Sequence, residues 1–127
     1  MTGKIEGVAR EVCEATEYVC FVTQGPEGPH LSGHWGSYMK IDESGQTLLF
    51  PLGRFQRTEQ NLRTDPRIQI MAASHKVQGT RSPGQGCVID GTGEIVREGA
   101  PLEQIRERFP WARGALVVQV KAVSMQL

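Results

Sequence analysis

Six β-rich runs follow one another at hairpin spacing along this chain, and that rhythm limits the folds open to it more than any other feature. They are Tyr18–Thr23, His30–Ile41, Thr47–Leu52, Arg67–Ala73, Cys87–Val96 and Leu116–Met125. Gly25-Pro26-Glu27-Gly28-Pro29 and Asp42-Glu43-Ser44-Gly45 read as turns, because glycine and proline supply the backbone angles a reversal needs. Within Arg67–Ala73, Ile68 and Ile70 alternate with Arg67 and Gln69, the period-two pattern of a half-buried strand. Short strands with little helix between them favour an antiparallel barrel over a doubly wound sheet. No GxGxxG follows a strand, so the main signal of a dinucleotide-binding fold is missing.

The helical signals are few. Ile5, Val8, Ala9, Val12 and Cys13 recur three and four apart and predict a helix over residues 3–15. A polar helix is expected around Thr58–Arg63, with Glu59 and Arg63 four apart; it stops at Asp65-Pro66, because the residue before proline avoids helical angles. A third short helix is expected over Pro101–Phe109. Gly79, Pro83, Gly84 and Gly86 make Lys76–Gly86 read as a loop. The length of 127 residues suits one domain with a single core.

Fourteen basic residues balance fourteen acidic ones, which argues against a whole-surface nucleic-acid or membrane binder. Cys13, Cys20 and Cys87 lack metal-type CxxC spacing and read as small buried or half-buried hydrophobes in a reducing compartment. The first residues lack an apolar signal core, and no apolar run approaches the ~18–20 residues that span a bilayer. A soluble, cytoplasmic protein is the expectation.

The densest chemistry lies between Phe50 and Asp65. An apolar strand ends at Gly53 and a polar helix starts within a few residues, carrying Arg54, Arg57 and the hydroxyl of Thr58. Unpaired N–H groups and the positive end of the dipole favour an anion at such a start, and two guanidiniums would make it a phosphate cradle. A solvated helix start is the other reading of the same spacing. His30 and His34 stand four apart on a strand, about 13 Å at roughly 3.3 Å per residue, and with His75 give no metal-binding pattern. Ser32, Ser37 and Cys87 lack the setting of a nucleophile. Trp35 and Tyr38 point to opposite faces of a regular strand unless it bends at Gly36; Trp111 reads equally as a core anchor or a stacking surface for a ligand.

Four blocks in order, HLSGHWGSYMK, FPLGRFQRTEQNLRTDPRIQIM, SHKVQGTRSPGQGCVIDGTGE and FPWARGALVVQV, resemble the pyridoxamine 5'-phosphate oxidase-like FMN-binding split-barrel family. The similarity runs from about Glu14 to Leu127 and points to the small FMN-binding members rather than the longer oxidase. It implies a mainly β fold, a six-stranded antiparallel split barrel of Greek-key type with few short helices, forming one domain over residues 1–127. It also implies a homodimer with one FMN per subunit near the interface. The family's phosphate-binding pair falls on Arg57 and Thr58, its ring-contacting strand on Gly33, His34 and Trp35, and the backbone edge meeting the flavin pyrimidine on Pro51, Leu52 and Gly53. Trp111 and Leu127 match positions that reach across from the partner subunit, and Gly84, Gln85 and Gly86 match a glycine-rich loop near the cofactor. Where relatives often carry Asn-Thr, this chain has Gly33-His34, which puts imidazole where a side-chain hydrogen bond to the ring is expected. An acidic position of relatives aligns with Thr16, with Glu17 beside it.

The function so implied is electron transfer through bound FMN, with no catalytic residue and a redox partner protein or small-molecule donor. The alternative is a flavin-dependent oxidoreductase, an NAD(P)H-linked reductase or an oxidase of a small molecule. A third reading puts haem, a deazaflavin or another phosphorylated ligand in the same pocket.

Overall fold

A computed structural model describes residues 3–127. Seven strands form one antiparallel sheet: β1 (Tyr18–Gly25), β2 (Gly28–Trp35), β3 (Lys40–Ile41), β4 (Thr47–Leu52), β5 (Arg67–Gln78), β6 (Pro83–Val96) and β7 (Gly114–Met125). Their order across the sheet is β2-β1-β5-β6-β7-β4-β3. Three α-helices lie among the described residues, α1 (Gly7–Ala15), α2 (Gln56–Thr64) and α3 (Ala100–Arg106).

The connectivity forces the sheet to curl. β2 and β3 are the two edges, six strand spacings apart, or ~29 Å if the sheet were flat. Yet only residues 36–39 join Trp35 to Lys40, a link that spans at most ~18 Å. The edges therefore approach each other, and the sheet rolls into a barrel whose seam runs between β2 and β4. The expected antiparallel split barrel is the fold found.

Seven strands replace the expected six because the run His30–Ile41 is broken. Residues Gly36–Tyr38 form a turn of 3-10 helix that separates β2 from a two-residue β3. Gly36 is pressed against the backbone of Thr16: a Cβ there would lie 2.0 Å from the Thr16 carbonyl oxygen, and its N–H donates to Glu17 at 2.8 Å. The stretch expected as a loop, Lys76–Gly86, is also mostly strand. β5 and β6 stay paired to Gln78 and Pro83, with an irregularity between Ser74 and Gln78, leaving residues 79–82 as the turn. The helix expected from residue 3 begins at Gly7, because Ile5 is taken up by a backbone bond to Gly45 (2.7 Å).

Phe21, Phe50, Leu48, Leu52, Ile70, Ile89, Leu116 and Val118 fill the barrel, closed on one side by Val12 and Cys13 of α1. Each large side chain buried this completely stabilises the fold by about 1.5–3 kcal/mol. On the other face of β4 and β7, Leu49, Ala115 and Val117 pack under Leu102, Ile105 and Phe109 of the α3 region. β4 is thus covered on both faces, which explains its unbroken apolar sequence. Cys13 and Cys87 are buried with sulfurs 3.9 Å apart, but Cys20, expected to be at least half-buried, is exposed on β1. No helix among the described residues is long and apolar enough to cross a membrane.

Candidate functional site

α2 starts without a side-chain cap, after Phe55 in a left-handed conformation (φ 71°, ψ 38°). Uncapped first-turn N–H groups carry the positive end of the helix dipole. Arg57 stands exposed on that turn, and among the described residues its guanidinium makes no hydrogen bond or ion pair. Thr58 is turned inward, only 1% exposed, and its hydroxyl lies 3.2 Å from that of Ser32 on β2. The next residue, Glu59, is also buried. Burial alone would push its carboxyl up, but Arg97 (2.7 Å) and Arg113 (3.2 Å) outweigh this and hold it below the usual carboxylate range. Its negative charge is therefore spent on arginines and does not oppose an anion at the helix start.

Above α2 the seam is bridged by one side chain. His34 points inward from β2 and meets the Pro51 carbonyl of β4 through Nε2 at 2.6 Å. The backbone N–H of Trp35 donates to His34 Nδ1 at 3.0 Å. A nitrogen that accepts carries no proton, so the ring is the neutral Nε2–H tautomer and donates to Pro51. Burial lowers its pKa, opposed by the Pro51 bond. The ring is stacked with Phe55 (centroids 5.3 Å) and lies 5.2 Å from Tyr38. Tyr38 in turn packs on Phe109 (4.6 Å) and Trp111 (6.1 Å). The half-exposed indole of Trp111 leans over Gly53 of its own chain: a Cβ built there would lie 3.6 Å from the ring.

Gly33, His34, Trp35, Pro51, Leu52, Gly53, Arg57, Thr58 and Trp111 thus gather along the seam and its foot. Both nitrogens of His34 are committed to backbone partners, and Trp35 faces outward in edge contact with Tyr18 (5.2 Å). Gly84, Gln85, Gly86 and Leu127 form a second group. Gln85 bonds through its side-chain amide to both the N–H (2.8 Å) and the carbonyl of Leu127, and the Gln126 N–H reaches the Gly86 carbonyl (2.8 Å). α2 borders β6 at Gly93–Ile95, seven or more residues along that strand from Gly86, whereas Gly33 lies in register with Val88 across three strand spacings, ~14 Å. Arg54, first considered beside Arg57, offers its carbonyl to Arg113 rather than its guanidinium to a partner.

Sequence reading missed Ser32, Phe55 and Arg113. Ser32 lies two residues before His34, on the same strand, and nothing local tells that its hydroxyl meets Thr58. Arg113 bonds to the carbonyls of Gly53 (2.5 Å) and Arg54, but it stands sixty positions away, adjacent only through the β4–β7 pairing. The one available signal was the WARGALVVQV block, in which an arginine precedes the apolar run Gly114–Val118.

The profile of the pyridoxamine 5'-phosphate oxidase family matches residues 5–126. An FMN-binding protein of Nitratidesulfovibrio vulgaris (strain DSM 19637 / Miyazaki F) is 37% identical over 123 residues, covering 97% of this chain and 99% of that protein. Among solved structures, HupZ of Group A Streptococcus superposes with a TM-score of 0.77 at 19% identity, over 96% of this chain and 99% of the other. An FMN-binding protein from Syntrophomonas wolfei subsp. wolfei gives 0.69 at 12% identity, over 93% and 83% of the two chains. These two likenesses establish the fold alone.

Proposed function

The chain belongs to the pyridoxamine 5'-phosphate oxidase family, and from that premise we propose that it is an FMN-binding electron carrier that works as a homodimer. FMN is its cofactor, in keeping with the FMN-binding relative that matches it from end to end. One observation carries the assignment of the site: an unpaired arginine, Arg57, stands at an uncapped helix start beside the partly buried Thr58–Ser32 hydroxyl pair. An anionic phosphate suits that end, because guanidinium, hydroxyl and helix dipole all favour negative charge there. The backbone of Pro51, Leu52 and Gly53 would border the ring, with Gly33, His34 and Trp35 across the seam.

FMN supplies one- or two-electron transfer when bound; the protein's part is to hold it and limit access. No side chain is assigned as acid or base. His34 commits both nitrogens to backbone groups, so its work is to orient the Pro51 carbonyl and the Trp35 strand.

The dimer reading rests on an exposed apolar face. Tyr18 and Cys20 of β1, Leu31 and Trp35 of β2, and Met71 of β5 share the outer side of neighbouring strands by register, and all are exposed. A soluble monomer gains nothing from such a patch, whereas a second copy would bury it. The same pairing would bring Gly84, Gln85, Gly86 and Leu127 to the partner's cofactor, with Trp111 covering the ring.

Fluorescence titration with FMN and riboflavin, combined with light scattering, tests this. FMN bound at one per subunit, at least tenfold tighter than riboflavin, on a particle of dimer mass supports the reading. Equal affinity for both removes the phosphate site. Continuous NAD(P)H consumption by the loaded protein would replace the carrier by a reductase.

A further inference from the structure

We propose that Arg113 is the positioning residue of the phosphate end: it holds the turn before α2 so that a run of backbone N–H groups faces the ligand. The inference rests on the FMN reading above. Arg113 takes three carbonyls in succession. Its own N–H donates to Leu52 (3.0 Å), its Nε to Gly53 (2.5 Å) and its Nη2 to Arg54. Nη1 then reaches the buried carboxylate of Glu59 (3.2 Å), which Arg97 holds from the other side.

The consequence follows from peptide geometry. In a trans peptide the N–H points opposite to the C=O of the same unit. With the Leu52, Gly53 and Arg54 carbonyls turned to Arg113, the N–H groups of Gly53, Arg54 and Phe55 point away from it. The same three carbonyls are the acceptors that Gln56, Arg57 and Thr58 would use if α2 were extended backward by one turn. Arg113 occupies them instead, and the first bond of the helix is Glu59 N–H to Phe55 (3.0 Å). Among the described residues the N–H groups of Gly53, Arg54, Phe55, Gln56, Arg57 and Thr58 have no hydrogen-bond acceptor. Unpaired groups in sequence, at a turn passing through a left-handed residue, make a concave anion-binding nest. Phe55 carries a Cβ and pays for φ 71° in strain, so the turn needs a brace from outside itself.

Arg113 therefore acts through backbone it orients, and its guanidinium is turned to carbonyls and to Glu59. The test compares FMN and riboflavin, which differ only by the phosphate, in the full-length protein. Arg113→Met is expected to weaken FMN at least tenfold and riboflavin less than twofold, and to move the 31P signal of bound FMN toward that of free FMN. Arg113→Lys keeps the charge but cannot fork between carbonyls, so its FMN preference should fall between wild type and Arg113→Met; it also carries the test if Arg113→Met fails to fold. An Arg113→Lys preference equal to wild type would show that charge alone matters and overturn the positioning role. Equal weakening of both flavins would overturn it too, as a general structural effect. A wild-type protein with no preference for FMN would defeat the phosphate reading itself, a result distinct from either.

Discussion

His34 donates a 2.6 Å hydrogen bond to the carbonyl oxygen of Pro51, joining two strands that do not pair through their backbones. The barrel is closed at this point by a side chain. Protonation would leave that Nε2–H bond in place but end the acceptance of the Trp35 N–H by Nδ1.

Stability should fall as pH drops through this ring's titration. Burial depresses the folded-state pKa of His34 below the unfolded value of ~6.5. The unfolded chain then binds the proton more readily, so the contribution is present above pH ~6.5 and is lost as pH falls toward the folded pKa. A charged ring would also face the Trp35 N–H with a second donor. Urea melts from pH 7.5 to 5.5 should show midpoints declining, and His34→Gln should flatten that slope. An unchanged slope would rule out His34 as its source.

Arg57→Ala should weaken FMN by about 1.5–3 kcal/mol, roughly ten- to a hundredfold, because a charge-assisted contact is lost. Riboflavin affinity should be untouched. Flavin fluorescence quenching reads both, and a Kd for FMN equal to wild type would take Arg57 out of the site.

Ser32→Ala removes the hydroxyl 3.2 Å from Thr58. A neutral hydrogen bond is worth about 0.5–1.5 kcal/mol, so FMN should bind about two- to tenfold more weakly. Thr58→Ser, which keeps the hydroxyl, should bind within about threefold of wild type. If Ser32→Ala binds FMN as wild type does, the hydroxyl pair plays no part.

Leu31→Glu or Met71→Lys places a charge in the exposed apolar face of β1, β2 and β5. Burying it unpaired in a dimer costs ~3 kcal/mol or more, on the order of a hundredfold in association. Light scattering should report monomers at concentrations where wild type is dimeric, with FMN affinity falling in parallel. Dimers of wild-type affinity would move the interface elsewhere.

Gly36→Ala forces a methyl to within 2.0 Å of the Thr16 carbonyl oxygen. Overpacking of this kind costs about 1–3 kcal/mol, and the unfolding midpoint in urea should drop accordingly. Thermal and urea melts that match wild type would mean the link between β2 and β3 yields freely.

Parts of this architecture were legible because they depend on neighbours in sequence. Thr47–Leu52 is a strand at both expected ends, since an apolar run covered on both faces leaves no other period to fit. Of the expected stripe Ile5, Val8, Ala9, Val12 and Cys13, the last three form the buried face of α1, Ile5 is buried just before the helix, and Val8 is exposed instead. Gly36 could be read as a place where the strand can bend, but not as one where it must: the bend is imposed by Thr16, twenty positions earlier, and the glycine alone permits it without requiring it. Glycine-rich composition hid the pairing of Gly84–Gly86, because it marks turns and tightly packed strands alike. For the site, Arg57 and Thr58 carried their own local signal. Ser32 and Arg113 act through register between strands, so their contribution appears only once β2 and β7 are in place.

The distance along β6 between the Gln85–Leu127 clasp and α2 makes genetic complementation the natural probe of the assembly. If each pocket takes its phosphate end from one subunit and its C-terminal cover from the other, Arg57→Ala and a chain lacking Leu127 carry lesions on different halves. A mixed dimer of the two would own one pocket with both lesions and one with neither. Two weak binders, unfolded and refolded together, should then recover tight FMN binding at half the wild-type stoichiometry in the heterodimeric fraction.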